Sequence, residues 1–377
     1  MREKKMGMRA VLTRLLGIAT VACALVAAPA VASAETQVMP DGVKAEVLSL
    51  KQANNEPVQI TEPGSYVLKT AEGEVTPSLG YTIDAPSATR INPVRIYIDG
   101  TVYVNDRTHN LVGQTRWLFN IKQGSNIEFI GVNNPCVSFH RNQKQFESVS
   151  GFLTDRYYSG GYKKASGDIS VSLGVGDGSQ NFTLSYDSRA KQKVPAISLG
   201  NTKGMLSADF NKLVIKDYTG ESHNSLGEVA PYSILEYAVP VRLFRSSFSD
   251  DGKGNINKLN ATFTDCVFWN TSGDYNGAVS IVGNPRGGVN SDVASRLAAT
   301  FENCRFGSDA DSGIWQTNNK YPTVEETTEF AQVQETGKCA VAGVMGVTNA
   351  TVNLNGCTMS NFHSTRSSSA DNTLTVD

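Results

Sequence analysis

"ATFTDCVFWN" (residues 261–270) is followed by the close echo "ATFENCRFGS" (299–308) and by the looser copy "VNLNGCTMSN" (352–361). Superposed, Phe263, Phe301 and Leu354 align, then Asp265, Asn303 and Gly356, then Cys266, Cys304 and Cys357, then Phe268, Phe306 and Met359. In an extended strand successive side chains alternate between faces. Ala261 and Phe263 therefore share one face, and Cys266 and Phe268 share another set by the opposite parity. A straight strand cannot bury both sets on one side. A bend at residue 265 can, and Asp, Asn and Gly are the residues that best tolerate the left-handed backbone such a bend needs. The phrase predicts strand, polar hinge, strand, with the cysteine restarting the inward face as a small, apolar-tolerant side chain.

Each phrase is followed by a second strand-like stretch: "GAVSIVG" (277–283), "SGIWQ" (312–316) and "NTLTVD" (372–377). Upstream, "PVQITEPGSYVL" (57–68), "PVRIYIDGTVYV" (93–104) and "RWLFNIKQGSNIEFIG" (116–131) read as strand, turn or bend, strand. One such unit cannot bury its own apolar face, so units must stack. The offsets Ile98 to Ile121 and Val102 to Ile127 suit one coil of a solenoid. The longer intervals from Cys266 to Cys304 and from Cys304 to Cys357 require inserted loops or an intervening unmatched coil. Residues 140–200 are polar, glycine-rich and match the pattern poorly. An antiparallel sandwich also gives short alternating strands, but the parity switch at a repeated corner favours a solenoid.

These phrases resemble the right-handed parallel β-helix family, which includes the pectate-lyase-like superfamily and the passenger regions of many bacterial surface proteins. The resemblance covers about residues 57–377 and rests on "ITEPGSYVL", "VRIYIDGTVYV" and the Asp/Asn-Cys-x-Phe phrase. It implies an all-β fold, a right-handed single-stranded parallel β-helix with inserted loops. Residues 35–56 then form an N-terminal lead-in or cap. The repeat is a packing pattern, so the resemblance speaks for fold and not for activity.

The first 34 residues read as a secretory signal. Arg2, Lys4, Lys5, Arg9 and Arg14 precede an apolar run from Leu15 to Ala28, and Ala32-Ser33-Ala34 forms a cleavage site. The run is too short for a membrane span. Cleavage after Ala34 takes five basic and one acidic residue from the 34 Lys+Arg and 36 Asp+Glu of the chain, leaving 29 against 35. That balance argues against nucleic acid or an anionic membrane as partner. The expected location is secreted or cell-surface, with no membrane span in the mature chain. The expected partner is an extracellular glycan or a protein on a host or neighbouring cell. The chain stops inside a strand-like stretch, which points to a longer surface protein or a neighbouring subunit.

Cys136, Cys266, Cys304, Cys339 and Cys357 follow the signal. An odd, sparse set is not a disulfide framework, and side chains on in-register parallel strands suit S–S geometry poorly. Buried free thiols are expected.

Candidate sites are few. Asp250, Asp251 and Lys253 could supply acid/base chemistry, since glycosidases use paired carboxylates. Adjacent residues on an extended segment point opposite ways, however, and the flanking glycines make a solvated turn. Asp274, Asp309 and Asp311 recur after the cysteines, and stacked turns would cluster their oxygens for calcium, although Asp is also a common turn residue. Tyr157, Tyr158 and Tyr162 lie in "TDRYYSGGYKK" (154–164) and could stack on sugar rings or a protein partner. The catalytic phrases of pectinolytic β-helix enzymes, Gly-His-Gly, Arg-Ile-Lys and Arg-x-Pro-x-x-Arg, do not occur. The expected function is an adhesin-like or glycan-contacting role without catalysis. The alternative is a polysaccharide lyase or glycoside hydrolase.

Overall fold

A computed structural model describes residues 35–51, 56–105, 116–139, 147–148, 150–158, 162–187, 191–192, 194–200, 204–220, 239–245, 258–271, 277–283, 296–307, 339–345, 350–359 and 373–376. Among them there is no helix, and a 16-stranded and an 8-stranded sheet dominate. The chain visits the two sheets in alternation. Val58–Ile60 lies in the smaller sheet, Gly64–Leu68 in the larger, Tyr81–Ile83 in the smaller and Val94–Tyr103 in the larger. The alternation persists to Cys339–Met345 in the smaller sheet and Ala350–Asn355 in the larger. Strands from successive passes pair parallel, as Gly64–Leu68 does with Val94–Tyr103 and Tyr81–Ile83 with Arg116–Ile121. The all-β composition and the parallel pairing are as the sequence implies. Thr36–Val38 and Lys44–Val47 make an antiparallel hairpin, and Lys44–Val47 then pairs parallel with Gly64–Leu68.

The repeated phrase folds as its parity requires. Phe263 pairs with Phe301 and Phe301 with Leu354; Phe268 pairs with Phe306 and Phe306 with Met359. At the hinge, φ is +53° at Asp265, +54° at Asn303 and +59° at Gly356. Phe263, Cys266 and Phe268 are all buried, so both parities reach the core. The hinge keeps its backbone ladder: Asp265 N–H donates to Glu302 O and Asn303 N–H to Asn355 O, each at 2.9 Å.

A fourth copy precedes the three. "ADFNKLVIKD" (208–217) stacks on 261–270, with Phe210 against Phe263 and Ile215 against Phe268. Its hinge residue is Lys212, at φ +54°. Lysine gains nothing from the left-handed region, and leucine replaces the cysteine, which is why the copy escapes a search for the motif. A second corner closes the phrase: Asp217 (φ +60°) and Asn270 (φ +52°) sit one above the other, joined by Asn270 Nδ2–H to Asp217 Oδ1 at 3.4 Å.

Aromatic columns fill the interior. Phe210, Phe263 and Phe301 stack with centroids 4.9 and 4.7 Å apart and planes within 15° and 6°. Phe268 and Phe306 repeat this at 5.0 Å, and Phe139 and Tyr186 at 4.4 Å. Each fully buried Phe contributes about 1.5–3 kcal/mol of transfer free energy, and a stacked pair adds about 0.5–1.5 kcal/mol.

Several expectations from sequence are corrected. Val94 pairs with Ile127, Ile98 with Gly131 and Val102 with Val137, while Ile121 pairs with Ile83 in the other sheet. The offset from Ile98 to Ile121 joined strands of different sheets, and that from Val102 to Ile127 joined partner strands of one sheet in the wrong register, because local periodicity fixes neither the sheet nor the register. The long intervals hold no unmatched coil, since their phrases pair directly. Residues 140–200 do join the stack, through Ser150–Thr154, Ile169–Val175 and Phe182–Tyr186. The strand in the smaller sheet next to Gly277–Gly283 is Cys339–Met345, and Thr373–Val376 lies in the larger sheet. "SGIWQ" lies outside the described residues.

Candidate functional site

Asp250, Asp251, Lys253, Asp274, Asp309 and Asp311 lie outside the described residues, and so do the acid/base and calcium readings built on them. Among the described residues no group of three His, Cys, Asp or Glu is placed to hold a metal, and no helix is long and apolar enough to cross a membrane.

The tyrosine-rich stretch forms an antiparallel ribbon, Arg156–Tyr158 with Tyr162–Lys164, in which Tyr158 faces Tyr162 and Tyr157 faces Lys163. Tyr157 is half-buried, with Lys122 Nζ 5.7 Å from its ring centroid. Lys122 also donates to Asp84 Oδ2 at 2.6 Å, and that bond raises its pKa. The charge over Tyr157 is thus already partnered.

The cysteines form a column with a definite hydrogen-bonding role. Cys266 Sγ–H points to Phe210 O at 3.5 Å, Cys304 Sγ–H to Phe263 O at 3.3 Å and Cys357 Sγ–H to Phe301 O at 3.4 Å. Each also lies near the carbonyl two residues back, that of Thr264, Glu302 or Asn355. Cys136, Cys266, Cys304 and Cys357 are free; Cys266 and Cys304 are buried, whereas Cys136 and Cys357 are only partly so. The neighbouring Cys266 thiol, with burial, pushes the Cys304 pKa up to about 12. A thiol held protonated is a donor and not a nucleophile. This column is structural.

The outer faces of the sheets differ in what lies over them. On the smaller sheet the outward row pairs Thr82 with Asn120, Asn120 with Thr154, Thr154 with Ser198 and Ser198 with Arg242. All five are polar, yet none is more than 5% exposed, and Arg242 Nη1–H donates to Ser198 Oγ at 3.1 Å. On the larger sheet near the N-terminus the outward residues Val67 and Tyr97 are apolar and buried with Met39 and Ala45 of the first hairpin, where Tyr97 O–H donates to Asp41 Oδ2 at 2.7 Å. Both of these faces are covered.

From Ile169–Val175 to Ala350–Asn355 the outer face of the larger sheet is different. One in-register column runs Ser170, Ser207, Asn260, Ala298, Thr351. The next runs Ser172, Asp209, Thr262, Thr300, Asn353. A third runs Asn211, Thr264, Glu302, Asn355. Asp209, Asn211, Asn260 and Glu302 are exposed and the others half-buried. Rungs repeat at about 4.8 Å along the stack, and columns stand about two residues apart along each strand. One rung is bonded to the next by Asn353 Nδ2–H to Thr300 Oγ1 at 3.4 Å. Hydroxyls and amides thus form an ordered grid of donors and acceptors on short side chains.

Sequence reading missed this grid because it is a relation between phrases. "ATF", "ATF" and "VNL" align in the repeat, but the middle, outward position only becomes a column once register is known. Beyond the hinge, Trp269 is half-buried with the Arg305 guanidinium 5.3 Å from its ring, and Lys216 pairs with it in register. No protein-family model, no curated protein and no solved structure matches this chain.

Proposed function

We propose that the two parallel sheets are walls of a right-handed single-stranded β-helix with inserted loops, of the pectate-lyase-like and surface-passenger kind. The chain is exported by a cleaved N-terminal signal and works at the cell surface or beyond it. Its role is adhesin-like: it engages an extracellular glycan by contact, without catalysis.

The observation that carries this reading is the partly exposed hydroxyl and amide grid between Ser170 and Asn355. Here the outward positions hold mostly Ser, Thr and Asn. Such short side chains lose little rotamer entropy when immobilised, so a polar ligand meets a surface that is inexpensive to order. Sugars present the matching chemistry, hydroxyls that both donate and accept.

The test is a panel of acidic and neutral polysaccharides incubated with the full chain after signal removal. Retention is read by affinity electrophoresis, and products by reducing ends and by the ultraviolet absorbance of unsaturated sugars. Retention without product is expected. Release of product identifies a lyase or hydrolase instead.

A further inference from the structure

We infer that Asn355 is a site of self-modification: the backbone nitrogen of Gly356 attacks its carboxamide, ammonia is lost, and aspartate or isoaspartate is left at the last described hinge.

The sequence supplies the reacting pair. Glycine carries no Cβ, so nothing on residue 356 shields its nitrogen from the carboxamide of residue 355. The chain holds two Asn-Gly pairs, 276–277 and 355–356, and Asn276 lies outside the described residues. At the other hinges and corners asparagine is followed by a bulkier residue: Asn211 by Lys212, Asn270 by Thr271 and Asn303 by Cys304.

The fold leaves this pair untied. At the three preceding hinges the backbone N–H is held by the next pass of the stack. Lys212 N–H donates to Thr264 O, Asp265 N–H to Glu302 O and Asn303 N–H to Asn355 O, each at 2.9 Å. Among the described residues Gly356 N–H makes no such bond, and the Asn355 side chain makes none either. A backbone N–H held in a ladder keeps its proton and its direction, whereas this one is free to lose the proton and turn. Gly356 is exposed and Asn355 half-buried, so water reaches the pair. Asn270 is the contrast: it is 8% exposed and its Nδ2–H is bonded to Asp217 Oδ1.

Water is the only co-reactant. Hydroxide takes the Gly356 N–H proton, and the nitrogen bonds to Asn355 Cγ. The Cγ–Nδ2 bond breaks, and ammonia leaves with a proton from water, which restores the hydroxide. The product is a five-membered cyclic imide. Water then opens the imide at either carbonyl. Breaking the new N–Cγ bond gives aspartate. Breaking the original peptide C–N bond gives isoaspartate, whose main chain runs through Cβ and Cγ.

Both products act on the stack. Asn355 stands opposite Glu302 in register, so either product sets two carboxylates on neighbouring strands, and like charges so placed repel. Isoaspartate also adds an atom to the main chain just before a hinge at φ +59°. That addition displaces Cys357 Sγ from Phe301 O and Thr358 N–H from Cys304 O.

The experiment keeps the full chain, after signal removal, in mildly alkaline buffer and maps its peptides by mass spectrometry over time. A synthetic peptide of residues 351–361 is the unfolded reference, and isoaspartyl methyltransferase labelling locates the isoaspartate. Asn355 in the folded chain is expected to become one mass unit heavier at a rate within about tenfold of the peptide, a barrier difference of about 1.4 kcal/mol. Asn270 and Asn303 are expected to stay unmodified over the same period. Gly356→Asp places a Cβ beside the nitrogen and keeps a residue type that Asp265 shows is accepted at a hinge. It is expected to slow the reaction at Asn355 by about tenfold or more, with circular dichroism showing that the variant folds. A rate in the folded chain more than about tenfold below that of the peptide, or an unchanged rate in the Gly356→Asp chain, overturns the inference.

Discussion

Cys304 Sγ lies 3.3 Å from the carbonyl oxygen of Phe263, one pass earlier in the stack, and Cys266 and Cys357 repeat that relation with Phe210 and Phe301. The cysteine of the repeat is therefore more than a small apolar filler. It adds a thiol donor to the carbonyl of the stacked aromatic just before each hinge. Serine would donate too, but a weak donor of low polarity costs less to bury.

This predicts the thiol chemistry. At pH 8, Cys266 and Cys304 in the folded chain should resist a water-soluble disulfide reagent, while Cys357 reacts slowly. Unfolding without reductant should expose every cysteine of residues 35–377. Loss of thiols before reduction would mean that disulfides replace the column.

The same group sets an alkaline limit. The Cys304 pKa is raised to about 12 in the fold, against about 8.5 for an unperturbed thiol. The folded state therefore holds its proton where the unfolded state releases it. That contribution is fully present below about pH 8.5 and is lost as pH climbs towards 12. Urea midpoints measured between pH 8 and pH 11 should fall, and Cys304→Val should flatten the fall while lowering stability at pH 8 by about 1 kcal/mol.

The hinges predict opposite signs for similar substitutions. Lys212 occupies left-handed backbone at φ +54°, which costs a non-glycine residue about 1–2 kcal/mol. Lys212→Gly should be neutral or stabilise by up to about 1 kcal/mol, after the extra unfolded-chain entropy of glycine. Asn303→Val places a β-branched residue in the same conformation and should destabilise by about 2 kcal/mol or more. Chemical denaturation of the two variants checks the pair.

The aromatic column predicts a large core effect. Phe263 is stacked between Phe210 and Phe301 and fully buried. Phe263→Ala should cost about 3–5 kcal/mol, read from the urea midpoint. Phe263→Leu should recover most of it, since Leu354 already fills the equivalent place two phrases on.

Close packing at Gly151 predicts a further sensitive position. A Cβ there would lie 2.4 Å from Pro195 O and 2.3 Å from Trp117 Cδ1, and Trp117 is held by its Nε1–H bond to that same carbonyl at 2.9 Å. Gly151→Ala should lower the melting temperature and raise the indole exposure seen by fluorescence.

What the sequence discloses follows from which interactions are local. The hinge at Asp265, Asn303 and Gly356 is legible because parity switching and left-handed tolerance are properties of a few adjacent residues. The pairing of Val94 with Ile127 is not, because register is decided by packing against strands tens of residues away. Lys212 hides a fourth copy for a related reason: the packing of Phe210 and Ile215 overrides a poor local choice at the corner. The grid of Thr262, Thr300 and Asn353 was invisible for the most general reason, since outward polar residues carry no signal until stacking aligns them.

In-register parallel stacking is tested most directly by a spin-label distance between positions 172 and 353. These lie 181 residues apart in sequence but four rungs apart in the column through Asp209, Thr262 and Thr300. With labels carried on bio-orthogonal side chains, so that the native thiols stay in place, pulsed electron resonance should give a single narrow distribution centred near about 19 Å, four strand spacings. A broad distribution, or one centred beyond about twice that distance, would contradict the stack and with it the grid.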